Sequence, residues 1–133
     1  MTSIVTYLGD LRTSSIHLQS GTEIFSDAPL DNNGKGEAFS PTDAVANALA
    51  TCMMTIMGIK ARDLEVDLKG STAEVVKIMK MEPRRIDVIA INFEMYGTAD
   101  VKNKRILERA AMTCPVFLSL HPEIEKRIIF NWN

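Results

Sequence analysis

The segment Ser40-Pro41-Thr42-Asp43-Ala44-Val45-Ala46-Asn47-Ala48-Leu49-Ala50-Thr51-Cys52-Met53 decides the fold. It opens with serine at an N-cap, proline at the first helical position and Asp43 at the third, where a carboxylate can reach back in a capping box. Residues 41–62 continue without proline and with only Gly58 as a breaker, so a long helix is expected there. Nearly every position is apolar, and a helix apolar almost all round belongs at the centre of its domain. Asn47, Thr51, Thr55 and Arg62 make the only polar seam, and Ala44, Ala46, Ala48 and Ala50 allow another backbone to approach closely.

Downstream, Asp67-Leu68-Lys69-Gly70 reads as a stop. From Ser71 to Met81 the side chains alternate, with Ala73, Val75, Lys77 and Met79 on one face. After the turn Glu82-Pro83-Arg84-Arg85, residues 86–96 form a second, longer strand, and the two make a hairpin. Residues 100–112 place Val101, Ile106, Leu107, Ala110 and Ala111 on one helical face, against Lys102, Lys104, Arg105, Glu108 and Arg109. Cys114-Pro115 opens a short helix that His121-Pro122 ends, and residues 124–132 close the chain as a strand that Trp132 can anchor.

Upstream, residues 3–8, 12–18 and 22–26 are rich in β-formers and are separated by Gly9-Asp10 and Ser20-Gly21. This spacing predicts an antiparallel meander. Residues 27–39 are a loop by composition, and Gly34-Lys35-Gly36 lacks the spacing of a phosphate cradle. The order β-β-β-α-β-β-α-(α)-β makes the chain α+β, read as one domain over residues 1–133. So short a chain cannot cover its apolar helix on every side, which a homodimer would do.

The composition agrees with a globular protein. The chain has 133 residues, is 46% hydrophobic and 24% charged, and has 15 cationic against 17 anionic side chains, a net charge of −2. Such a balance gives no footprint for nucleic acid or for an anionic membrane surface, so neither is expected as a partner. No uninterrupted apolar run reaches the roughly 18–20 residues of a spanning helix. Met1-Thr2-Ser3-Ile4-Val5 does not look like a signal peptide, and a cytoplasmic location is the expectation.

Two cysteines, 114 − 52 = 62 positions apart, are the candidates for chemistry. Their spacing suits neither a zinc site nor a Cys-x-x-Cys redox motif, and no cofactor or metal is expected. His17 and His121 have no ligand spacing and read as structural or exposed. Met53, Met54 and Met57 read as adaptable core. Cys52 sits mid-helix on a stripe with Val45, Leu49, Ile56 and Ile59, where burial makes a thiol inert unless a cation arrives from elsewhere. Arg12 is the candidate cation, with Arg62, Arg84 and Arg85 as competitors. Cys114, at the cap of a helix, faces unpaired N–H groups, so local electrostatics alone would make it the more acidic thiol.

The motif around Cys52, from Ser40 to Met53, resembles the Ser-Pro-x-Glu/Asp to Ala-Leu-Ala-x-Cys helix of the OsmC/Ohr family, which includes the organic hydroperoxide resistance proteins. Cys114-Pro115-Val116-Phe117-Leu118-Ser119-Leu120 resembles the second family signature, and Ser26-Asp27-Ala28-Pro29 and Pro83-Arg84-Arg85-Ile86 also fit. The resemblance covers nearly the whole chain. It implies an OsmC-like fold, with antiparallel sheets around a long central apolar helix in an intertwined homodimer. It also implies a thiol peroxidase for organic hydroperoxides, in which Cys52 is the peroxidatic thiolate and Cys114 the resolving thiol. The two would form an intramolecular disulfide that a dithiol or lipoyl-type reductant reopens. Organic hydroperoxide resistance members place a glutamate directly after the motif's proline to hold a catalytic arginine. Here Thr42 stands there and Asp43 follows, about 100° round the helix, as the possible acidic partner of Arg12, the thiolate stabiliser. The alternatives are a non-catalytic module that binds a small hydrophobic molecule with Cys52 inert, and a thiol redox sensor.

Overall fold

The capping box at the start of the long helix forms as the sequence predicts. In the computed structural model, which describes residues 1–133, the Asp43 N–H donates to Ser40 Oγ at 3.0 Å and the Ser40 N–H donates to Asp43 Oδ2 at 3.1 Å. Helix α1 then runs from Pro41 to Asp63. Backbone contacts divide the chain into two compact units, Met1–Val45 and Ala46–Asn133.

The first unit holds an antiparallel sheet of β1 (Ser3–Gly9), β2 (Arg12–His17) and β3 (Glu23–Asp27), in that order. The following loop is pinned to the sheet by its backbone: the Ala28 N–H donates to the Leu11 carbonyl at 3.1 Å and the Asp27 N–H to the Phe39 carbonyl at 3.2 Å. Gly34 lies against Ala28 so closely that a Cβ on it would overlap the Ala28 carbonyl, so this loop glycine serves a tight turn, as its composition suggests.

The second unit layers α1 on a sheet of β4 (Thr72–Lys80), β5 (Arg85–Met95) and β6 (Glu125–Trp132). Ile89, Ile91, Phe93 and Met95 of the central strand β5 are buried with Leu49, Met53 and Met57 of α1 in one core. β4 alternates exposed and half-buried residues, as expected of a strand with one face on a core. The expectation of antiparallel sheets holds for three strand pairs and needs correction at the fourth, because β6 runs parallel to β5. Between them lie α2 (Val101–Ala111) and α3 (Pro115–Ser119), a crossover that returns the chain to the end where β5 began. Phe93 and Phe130 stack across this parallel pair with centroids 5.1 Å apart.

Helix α1 is less enclosed than its composition suggests. Only Ala46, Leu49, Ala50, Met53, Met57 and Ala61 are buried, a stripe at helical spacing. Val45 and Ile59, expected on the buried stripe with Cys52, are exposed. The expected polar positions Thr51, Thr55 and Arg62 are also exposed. Although no uninterrupted apolar run is long enough, α1 is long and apolar enough as a whole to cross a membrane by length and composition. Its most apolar window is 33% buried within the chain.

Candidate active site

Cys52 stands in the fourth turn of α1. It is half-buried and packs against the core of α1 and β5. At that depth the unpaired N–H groups of the helix start cannot act on it, because the dipole effect fades within the first turn.

Cys114 is the N-cap of α3 and is fully buried. Pro115, whose ring fixes φ for helix entry, occupies the first helical position, and the Phe117 N–H donates to Cys114 Sγ at 3.2 Å. The Cys114 backbone N–H is tied to the Ala111 carbonyl at 3.3 Å, which fixes the corner between α2 and α3. Both thiols are free, and Cys52 packs against the core cluster that contains Cys114. The 61 residues between them fold so that the two thiols share one core.

The expectation that capping would acidify Cys114 is reversed. Burial pushes its thiol above the usual range, and the Phe117 N–H, which favours the thiolate, does not offset it. The neighbouring Cys52 pushes it the same way. At neutral pH Cys114 therefore keeps its proton. A five-residue helix supplies only a small dipole, and desolvation of the whole side chain outweighs it.

Arg12 belongs to a polar cluster inside the first unit. Its Nε donates to Asp27 Oδ1 at 2.8 Å, and its Nη2 donates to Asp27 Oδ2 and Glu37 Oε2, both at 2.8 Å. The Glu37 N–H also donates to Asp27 Oδ2, at 3.1 Å. Asp27 is 1% exposed, and the bidentate guanidinium holds its carboxyl below the usual carboxylate range. Arg12 is pushed above its already high value, first by the hydrogen bond to Asp27. Asp43, the acid proposed for Arg12, is engaged in the capping box, and the carboxylates that hold Arg12 are Asp27 and Glu37. Asp27 could have been found by counting outward from the turn at Ser20-Gly21, since register places Arg12 opposite Asp27. Glu37 carried no such signal, because the folded loop alone brings it there.

Among the competing arginines, Arg62 lies ten residues beyond Cys52 on α1, about 15 Å along the axis, and is exposed. Arg85 is paired with Glu123 at 2.7 Å, with its Nη1 3.4 Å from His121 Nδ1. His17 Nδ1 is 2.7 Å from the Ser20 hydroxyl in an exposed turn. Met53 and Met57 are core residues, as expected, and Trp132 Nε1 donates to Glu108 at 3.0 Å, anchoring the last strand to α2.

The family model for OsmC-like protein matches residues 34–128, which include both cysteine motifs. No curated protein sequence matches the chain. A solved structure from Psychrobacter arcticus 273-4, of a protein proposed to be an osmotic stress induced and detoxification response protein, is 55% identical over 98% of this chain and 96% of that one, with a TM-score of 0.95. An OsmC-like protein from Mycoplasma pneumoniae shares the fold at 14% identity, with coverage of 98% and 94% and a TM-score of 0.78. An organic hydroperoxide resistance protein OsmC from Legionella pneumophila does so at 16% identity, with coverage of 98% and 97% and a TM-score of 0.69. With a family match spanning both cysteine motifs and a relative sharing more than half of its residues, the chain belongs to the OsmC-like protein family.

Proposed function

We propose that this protein is a thiol-dependent peroxidase that reduces organic hydroperoxides. The observation that carries the reading is the packing of Cys52 against the core cluster that contains Cys114, with burial keeping the proton on Cys114. In the reaction the Cys52 thiolate attacks the distal peroxide oxygen, the O–O bond breaks, and the alkoxide leaves and takes a proton as alcohol. Cys52 is then a sulfenic acid. Cys114, still a thiol, attacks that sulfur, and the Cys52–Cys114 disulfide forms as water leaves. An external dithiol reopens the bridge by exchange and is itself oxidised to a disulfide. A protonated resolving thiol fits this order, because it does not compete with Cys52 for peroxide. The half-buried, apolar setting of Cys52 suits an apolar peroxide better than hydrogen peroxide.

Arg12 remains the proposed stabiliser of the Cys52 thiolate. Asp27 and Glu37 occupy its Nε and Nη2, and no hydrogen bond engages Nη1. We further propose that the protein works as a homodimer, which the uncovered apolar positions of α1 support.

The test is consumption of cumene hydroperoxide against hydrogen peroxide with excess dithiothreitol, for the wild type, Cys52→Ser and Cys114→Ser. Fast, organic-selective turnover that Cys52→Ser abolishes is the expected result. Loss in Cys114→Ser alone would reverse the two roles. Absence of turnover in the wild type, with both thiols slow to alkylate at neutral pH, would overturn the peroxidase.

A further inference from the structure

Helix α2 separates its charges in a way that its own stability does not explain. Its one acid, Glu108, is turned to the Trp132 indole, and the Asp100 carboxylate before it caps the Asn103 N–H at 2.7 Å. Lys104 lies over the Trp132 ring. Lys102, Arg105 and Arg109 remain on the exposed side with no ion pair or hydrogen bond in the chain. They are spaced i, i+3 and i+7, so each repels its neighbour along one helical stripe, and Lys102 adds a cation to the positive first turn. Elsewhere on the same protein, Arg12, Arg85 and Arg127 each have a carboxylate partner. Three like charges kept together without a counter-charge, on a chain whose net charge is −2, break a local rule for no gain within the fold.

The three cations also border one surface depression on α2. With Val101 and Ile106 they line an open cavity of about 440 Å³, and Val101 is 67% exposed. From Lys102 to Arg109 the stripe is about 10 Å long. That is too short, with too few charges, for the phosphate contacts that hold a nucleic acid. A membrane surface is disfavoured because the most apolar side of α2, with Leu107 and Ala111, is buried in the protein. Cations bordered by aliphatic side chains match a short segment that mixes carboxylates with aliphatic residues.

We propose that this face of α2 is a docking surface for an acidic, partly apolar segment of a partner protein. The carboxylates pair with Lys102, Arg105 and Arg109, and the aliphatic side chains rest on Val101 and Ile106. This surface is independent of the thiol chemistry proposed above.

The test uses fluorescence anisotropy with a labelled peptide of alternating glutamate and leucine and the full-length protein. The expected result is binding that weakens as salt rises and falls by about tenfold or more in Arg105→Glu/Arg109→Glu. Arg105→Gln/Arg109→Gln should lie between the two, and Arg62→Glu/Lys69→Glu, altered elsewhere on the surface, should bind as the wild type does. Circular dichroism and the thermal midpoint verify that the variants are folded. Equal binding by the charge-reversed variant would overturn the proposal. So would equal binding of a glutamate–serine peptide, since the aliphatic contacts would then be idle. Tighter binding of a single-stranded DNA of equal charge would also overturn it, and would make the surface a nucleic-acid site.

Discussion

Cys114 illustrates how a short-range rule is outweighed at a single residue. Its N-cap position and the Phe117 N–H favour a thiolate, yet complete burial pushes the thiol up. In the proposed mechanism that makes Cys114 a patient resolving group. With reduced protein at neutral pH, alkylation by iodoacetamide, read by peptide mass spectrometry, should label Cys52 ahead of Cys114. Asp27 is the opposite case, a buried carboxylate held acidic by a bidentate guanidinium. Because its folded pKa lies below its unfolded one, the pair contributes stability at neutral pH and loses it as the pH falls through the folded value. Asp27→Asn should therefore melt below the wild type at neutral pH, and the gap should close under acid. A gap that persists unchanged under acid would show that the side chain acts through packing alone.

At the scale of elements, the capping box and the α1–β5 layer make separable contributions. The Ser40 hydroxyl satisfies one orphan N–H at the start of a 23-residue helix. Ser40→Ala should cost about 1 kcal/mol in urea denaturation, the usual value for a lost N-cap. Leu49, fully buried against β5, should cost about 3 kcal/mol as Leu49→Ala, because a cavity adds to the lost transfer free energy. The elements themselves were largely legible: the long helix, the 72–80 and 85–95 hairpin and the Cys114 cap follow from capping, alternation and turn residues. The direction of β6 was not legible. Alternation reports which side chains face the core, and it is the same for parallel and antiparallel neighbours.

At the scale of the whole molecule, α1 is a helix with too little chain around it. Ala44, Val45, Thr51, Thr55 and Ile59 are exposed on a helix apolar enough to be buried throughout. If a second copy covers them, as proposed, Thr51→Arg/Thr55→Arg should shift sedimentation velocity from dimer to monomer. A wild type already monomeric at micromolar concentration, or a variant still dimeric, would remove this face from the interface. The primary structure carried the element order, the helix cap, the alternation of the strands and the two cysteine motifs, because those signals lie within a few residues of one another. It did not carry which stripe of α1 is buried, that β6 runs parallel, that Asp27 and Glu37 hold Arg12, or that Cys114 stays protonated. Each of these depends on segments brought together from far along the chain. Desolvation and ion pairing are summed over whatever neighbours the fold supplies, and no local pattern encodes that sum.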